Sequence, residues 1–182
     1  ESDGGEATAN VEELLRAQQS DRVTFVFETG GAEQWELEGV DASRLQRWLI
    51  TDGGYQLADE QPSASMGSAE TLGSFLAWGV KNFPADKYMV VLWNHGGGAA
   101  AGAEYDQLYD DDNLKLDEIA KGLAMANARF EIVGFDACLM ATMETAAAID
   151  EYAAYMVASE ETEPGGGWNY SEWAGYLAAN PE

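Results

Sequence analysis

The 182-residue sequence is poor in several residue types, and each shortage excludes something. A single cysteine excludes an internal disulfide, so cysteine usage does not reveal the redox compartment. Only 9 lysines and arginines oppose 33 aspartates and glutamates, and the net charge of −24 would repel nucleic acid and anionic lipid alike. No apolar run approaches the roughly 20 residues of a membrane span, and no signal peptide is visible. We therefore expect neither a nucleic acid nor a membrane as partner.

What remains is the composition of a folded protein. Hydrophobic residues make up 46% of the chain and include six tryptophans, which argues against disorder. This length suits a single domain spanning residues 1–182 with a sizeable core. Short apolar stretches alternate with amphipathic ones, as is typical of an α/β protein. The sequence predicts a three-layer α/β/α sandwich with a mostly parallel central sheet and a small antiparallel meander.

The predicted elements follow from hydrophobic periodicity and turn residues. The first helix is expected to begin at Asn10, with Glu13 completing a capping box. Other predicted helices are 68–82, 116–126 and 139–149; predicted strands are 23–28, 88–92, 130–133 and 155–158; the meander comprises 34–38, 45–50 and 55–58.

The only histidine and the only cysteine each follow a predicted strand. His95 comes shortly after strand 88–92, and Cys138 after strand 130–133. The intervening chain is long enough for one crossover helix, so the two strands are expected to be neighbours whose carboxyl ends meet at one sheet edge. A thiolate is favoured beside a histidine or at a helix N-terminus, and we expect Cys138 to have both, with its thiol in the first turn of helix 139–149. Single cysteines and histidines are commonly structural, but their shared position at strand ends favours nucleophilic catalysis.

Two other chemistries are suggested by the glycines that follow the histidine, His95-Gly96-Gly97-Gly98. This motif looks like the oxyanion-hole motif of lipases and esterases, but the G-x-S-x-G elbow is absent and His95 precedes Cys138 in the chain. A phosphate-binding loop lacks both G-x-G-x-x-G and a Walker lysine. We expect instead that Gly96 brings a bare backbone N–H to a developing oxyanion.

Three segments together resemble the clostripain-like cysteine peptidases, which share a caspase-like fold with caspases, gingipains, legumains and separase. The segments are Leu92–Gly98 around the histidine, Gly134–Met140 around the cysteine, and 158–170. In caspases, too, the histidine lies roughly 50 residues upstream of the cysteine. The resemblance implies an endopeptidase in which His95 and Cys138 form the catalytic dyad, with a thioester acyl-enzyme. The backbone N–H groups of Gly96 and Cys138 would hold the oxyanion.

The resemblance also implies a substrate groove beside the loop that follows the last predicted strand. Members selective for Arg or Lys are expected to hold an acidic residue in the middle of the Pro-Gly-x-Gly-Trp turn, where this chain has Gly166. Alternatively, a nearby glutamate supplies the charge; an acidic surface attracts cationic substrates, but it also serves solubility. Asp136 could equally cap the following helix, and Trp168 could simply be packed. The candidate pocket residues are Asp136, Ser159, Glu160, Glu161, Glu163, Gly166 and Trp168.

The stretch 99–113 between the dyad residues is predicted to be a loop, and four aspartates cluster in it: Asp106, Asp110, Asp111 and Asp112. Oxygen-rich clusters bind calcium, and some members of the resembled family require it. The run lacks the order of an EF-hand, and acidic residues before helix 116–126 are favourable in any case. We expect no cofactor for the chemistry itself, and calcium only by resemblance.

Partners and context are also implied by the resemblance. It implies a peptide or protein substrate and a secreted or cell-surface location on a bacterium. Family members carry an apolar strand before the polar start Glu1–Gly5 and more chain after Pro181, so we expect a fragment lacking the first strand and the C-terminal part. The alternative function is a non-catalytic peptide-binding module on the same fold, against which the presence of both dyad residues argues.

Overall fold

The computed structural model describes residues 4–181. The chain forms two compact units. The first comprises the residues up to Ser63 together with those from Gly165 onward, and the second comprises Ala64–Pro164. Residues 1–3 of the polar start lie outside the described part. The single domain over 1–182 and the missing first strand stay predictions.

Six helices and eight strands make up the described chain, with a short 3-10 turn at Gln107–Tyr109. The helices are α1 (Glu6–Arg16), α2 (Ala69–Asn82), α3 (Gly98–Ala101), α4 (Leu116–Met125), α5 (Met143–Ile149) and α6 (Tyr170–Ala179). The strands are β1 (Val26–Thr29), β2 (Arg44–Thr51), β3 (Gly54–Pro62), β4 (Met89–Trp93), β5 (Ala103–Asp106), β6 (Asp112–Leu114), β7 (Phe130–Asp136) and β8 (Ala153–Val157).

The second unit is built on a parallel sheet in the order β4-β7-β8. Its strands are the apolar runs of the sequence, and β7 carries the fully buried Val133 and Phe135. Helix α2 packs against α4, where Gly122 lies against Leu72 so closely that an added Cβ would be 2.7 Å from a Leu72 methyl carbon. The helix and strand predictions for this unit are confirmed to within a few residues, except just after Cys138 and between β4 and α4, as described below.

The first unit contains the antiparallel sheet β1-β2-β3. A two-residue turn at Asp52-Gly53 joins β2 to β3, as predicted. Predicted strand 23–28 becomes β1 of this meander. The predicted strand 34–38 is wrong, because that segment is irregular and its Leu37 is buried with Val11 and Ile50 in the core of the unit. The predicted α/β class, a parallel sheet with a small antiparallel meander, is confirmed.

Helix α1 begins at Glu6 rather than at Asn10, so the predicted capping box is wrong. Asn10 lies inside the helix, where it is buried and donates its side-chain amide to the Gly166 carbonyl at 3.0 Å. The Glu13 carboxylate accepts the backbone N–H of Tyr170 at 2.8 Å. Both side chains therefore hold the C-terminal segment of the same unit instead of starting a helix.

A buried charge cluster crosses the meander. Arg47 on β2 donates to Glu28 on β1 at 2.7 Å and to Asp59 on β3 at 3.0 Å. The side chains of Arg47 and Glu28 are each only 4% exposed. Burial raises the pKa of the Glu28 carboxyl to about 7, and the nearby Asp59 charge adds to the increase, although Arg47 opposes it.

This raised pKa makes the stability of the first unit pH-dependent. The folded carboxyl keeps its proton up to about pH 7, whereas an unfolded one loses it near pH 4.5. The unfolded state therefore binds fewer protons between these values, and the free energy of unfolding falls by about 3 kcal/mol as the pH rises through this window. We expect Glu28→Gln to remove that part of the decline, measured by urea unfolding at pH 5, 6, 7 and 8. The control Glu12→Gln, on exposed α1 surface, should keep the wild-type slope, and an equal slope in Glu28→Gln would contradict the assignment.

Candidate active site

The parallel pairing of β4 with β7 brings the two singleton residues to one sheet edge. The last paired residues are Trp93 and Asp136, and the Asn94 N–H donates to the Asp136 carbonyl at 3.4 Å just beyond them. His95 lies two residues after Trp93, and Cys138 lies two residues after Asp136. His95 is exposed and Cys138 is partly buried. The predicted placement of both residues at adjoining carboxyl ends is confirmed.

The glycines after His95 let its loop lie directly against the turn that carries Cys138. A Cβ added to Gly96 would lie 2.9 Å from the Cys138 nitrogen and 3.1 Å from the Ala137 Cβ, and it would overlap the Cys138 carbonyl oxygen. Gly98 has φ +66° and lies against Leu139. Only a residue without a side chain fits at Gly96. The motif therefore serves a close approach of two backbones.

A small hairpin supports the histidine loop from the other side. Strands β5 and β6 pair within the stretch 99–113 that the sequence predicts as a loop, so that prediction is wrong. Gly97 donates its N–H to the Gly102 carbonyl at 2.8 Å, and Asn94 donates its side-chain amide to the Tyr105 carbonyl at 3.1 Å. The Tyr105 hydroxyl also comes within 3.0 Å of an ideal Cβ on Gly97. Sequence reasoning did not identify Tyr105 as a neighbour of the histidine loop, because short polar strands such as those of this hairpin show little apolar pattern.

The turn at residues 138–141, which we call the nucleophile turn after the role predicted for its cysteine, is not the start of a helix. Helix α5 begins at Met143, where the Thr142 side chain accepts the Thr145 N–H at 3.0 Å. Leu139 adopts φ +64°, a left-handed conformation that interrupts any helix starting at Cys138. The prediction of a helix over 139–149 with the thiol in its first turn is wrong. Cys138 is therefore not a residue of the first turn of α5, where the dipole field is strongest.

The segment Ser159–Glu163, which we call the strap, is hydrogen-bonded to this turn. Ala141 donates its N–H to the Ser159 carbonyl at 2.9 Å, and Leu139 donates to the Glu161 carbonyl at 3.0 Å. The Glu163 N–H points at the sulfur of Cys138, at 3.3 Å. Four pocket candidates, Ser159, Glu160, Glu161 and Glu163, thus belong to a segment that touches the nucleophile turn.

The remaining pocket candidates have other surroundings. Asp136 is 4% exposed at the end of β7, and it does not cap α5, because Thr142 does. Gly166 and Trp168 belong to the first unit. There the exposed Gly166 accepts the Asn10 side chain. Their part in a substrate pocket stays a prediction.

The four clustered aspartates have structural roles. Asp106 is fully buried and accepts the N–H groups of Met66 at 2.7 Å and Leu108 at 2.8 Å. Asp112 accepts the Ser65 hydroxyl at 2.7 Å, while Asp110 and Asp111 occupy left-handed turn positions with φ 56°. Within residues 4–181, no three His, Cys, Asp or Glu side chains are grouped so that they could hold a metal ion. The hydrogen bonds of Asp106 and Asp112 give these two carboxylates partners within the protein, and calcium stays a prediction from resemblance.

Parallel strands with a histidine and a cysteine at one edge define the class of the protein: an α/β protein with the caspase-like arrangement. The clostripain family model, peptidase family C11, matches residues 19–182. This chain belongs to the clostripain family. Over 96 residues it is 33% identical to clostripain of Hathewaya histolytica. The matched region covers 46% of this chain and 18% of clostripain.

Solved structures agree on the fold. A secreted C11 cysteine protease from Bacteroides thetaiotaomicron, in complex with an irreversible peptide inhibitor, is similar with a TM-score of 0.81 at 19% identity. The likeness covers 97% of this chain and 50% of that one. An inactive zymogen C11 protease from Parabacteroides distasonis is similar with a TM-score of 0.72 at 21% identity, again over 97% and 50%. The chain thus has the C11 protease fold and spans about half the length of these relatives. Among the described helices, none is long and apolar enough to cross a membrane.

Proposed function

We propose that this protein is a cysteine endopeptidase with Cys138 as nucleophile and His95 as general acid and base. The observation that carries the proposal is the backbone contact between Gly96 and Cys138, because it joins the loop that follows the histidine to the nucleophile turn. Membership of the clostripain family supports it. So does the solved relative, which was captured with an irreversible peptide inhibitor.

The reaction is acyl transfer in two stages. The Cys138 thiol gives its proton to His95 as its sulfur attacks the peptide carbonyl carbon, and the oxyanion accepts hydrogen bonds from the N–H groups of Gly96 and Cys138. His95 protonates the leaving amine as the C–N bond breaks, which leaves a thioester on the sulfur. His95 then removes a proton from water, which attacks the thioester carbonyl. The C–S bond breaks, the acid product leaves, and the proton returns to the thiolate.

The strap favours cleavage after Arg or Lys. Glu160 and Glu161 are exposed and Glu163 is partly buried, and the strap is bonded to the nucleophile turn. These carboxylates would attract a cationic side chain in place of the acidic residue that is expected at position 166, where this chain has Gly166. We also place the enzyme outside the cell, since the relatives from Bacteroides thetaiotaomicron are described as secreted.

Active-site labelling together with a peptide library tests the proposal. We expect the wild-type protein to cut the library after Arg or Lys, and an acyloxymethyl ketone ending in Lys to add one mass increment at Cys138, found by peptide mass mapping. The matched ketone ending in Glu should label at least about tenfold more slowly, since a charge preference of 1.4 kcal/mol already gives that factor. A protein that binds the peptides yet neither cuts them nor takes the label is a binding module, and this result would overturn the proposal. Cleavage without the basic preference would overturn the specificity alone.

A further inference from the structure

The hydrogen bond from the strap to the sulfur has a consequence for the nucleophile. We infer that the backbone N–H of Glu163 is a positioning group that holds the Cys138 sulfur and favours its thiolate form. The inference rests on the proposed function, in which that sulfur attacks the substrate. The N–H lies 3.3 Å from the sulfur, within the range of a hydrogen bond to this large atom.

The position of this N–H is fixed by the strap itself. Two backbone hydrogen bonds tie the carbonyls of Ser159 and Glu161 to the nucleophile turn. The Ser159 hydroxyl accepts the Glu161 N–H at 3.1 Å, which closes the first bend of the strap. Pro164 then restricts the backbone of Glu163 to extended conformations. A donor held in this way needs no reorganisation when the sulfur becomes charged.

The electrostatics of the turn explain why such a donor is needed. Because α5 begins only at Met143, Cys138 does not have the first-turn position in which the helix dipole favours an anion most. The strap also carries three glutamates, whose negative charges oppose a thiolate. A backbone N–H directed at the sulfur favours the charged form, as hydrogen bonds to an ionised group generally do. The strap therefore supplies the stabilisation that the sequence attributes to a helix N-terminus.

A proline at position 163 removes the N–H, and an alanine at the same position is its matched control. Both Glu163→Pro and Glu163→Ala lose the carboxylate, so their difference reports the exchange of the N–H for the proline ring, and the amide exchange described below isolates the hydrogen bond itself. We expect Cys138 to react with iodoacetamide at pH 7 about tenfold more slowly in Glu163→Pro than in Glu163→Ala. A factor of about ten corresponds to the lower end of the free energy that a hydrogen bond to a charged group contributes. In peptide hydrolysis, kcat should fall by a similar factor at an unchanged KM.

Equal or faster alkylation of the proline variant would overturn the inference, because the N–H would then have no effect on the reactivity of the sulfur or would lower it. Alkylation requires no peptide turnover, so its outcome is separate from that of the proposed function. A protein that cuts no peptide but shows the expected difference in alkylation loses only the proposed function.

Amide hydrogen exchange provides a second test that does not depend on the folding of a proline variant. The Glu163 amide should exchange at least about tenfold faster in Cys138→Ala than in wild type, because its acceptor is gone. Cys138→Ser keeps an acceptor and should stay closer to wild type. Equal exchange of the Glu163 amide in all three proteins would refute the bond to sulfur.

Discussion

Replacement of Cys138 by alanine should abolish peptide hydrolysis, with a fall in kcat/KM of at least about 10⁴-fold. The reason is that the acyl group has no atom to which it can be transferred, and the protein contains no other cysteine to replace it. The measurement is turnover of a fluorogenic peptide at a high enzyme concentration, together with mass mapping for the acyloxymethyl ketone. The variant should take no label at all.

Replacement of His95 by alanine should produce a different defect. This variant keeps the thiol but lacks the group that protonates the leaving amine and activates water, so hydrolysis should fall by about 10³-fold. Iodoacetamide, whose iodide leaves without a proton, should still modify Cys138, although more slowly. Equal hydrolysis by wild type and Cys138→Ala would remove the sulfur from the mechanism, and full activity of His95→Ala would remove the dyad.

The sequence was sufficient for the part of the site that depends on buried strands. Apolar runs of four or five residues predicted β4 and β7, and parallel strands of this kind meet at their carboxyl ends. The positions of His95 and Cys138 follow from that rule. Helices α2 and α4 could also be predicted, because each has an apolar face and α2 has a clear start at the Ser68 cap.

The parts that sequence reasoning missed depend on long-range backbone contacts. Leu139 has a left-handed φ, which leucine rarely adopts, so nothing in the sequence indicates it. The helix-forming residues directly after Cys138 therefore predicted a helix that starts too early. The strap reaches the nucleophile turn through backbone groups, and these are the same in every sequence. Asn10 looked like a helix cap because the Gly166 carbonyl that it binds is distant in the chain. Tertiary contacts overrode local preference in each case.

The geometry of Gly96 leads to another large effect that we expect, on a residue that contributes no side chain. Gly96→Ala should lower kcat/KM by about 100-fold while the protein stays folded. The new methyl group would overlap the Cys138 carbonyl oxygen and lie 2.9 Å from its nitrogen. Neither backbone can yield without moving the histidine loop away from the nucleophile turn. A displacement of about 1 Å at a catalytic group costs on the order of 100-fold in rate.

Gly79→Ala is the matched control for this substitution. Gly79 lies in α2 of the same unit, and a Cβ added there meets nothing within 4 Å. Alanine in a helix interior is more favourable than glycine, so this variant should be more stable by about 0.5–1 kcal/mol with normal kinetics. The two variants add the same methyl group, and only the one beside Cys138 should lose activity in the fluorogenic assay. Wild-type kinetics in Gly96→Ala would mean that the contact between the two backbones does not set the catalytic geometry, and the central argument for the dyad would fail with it.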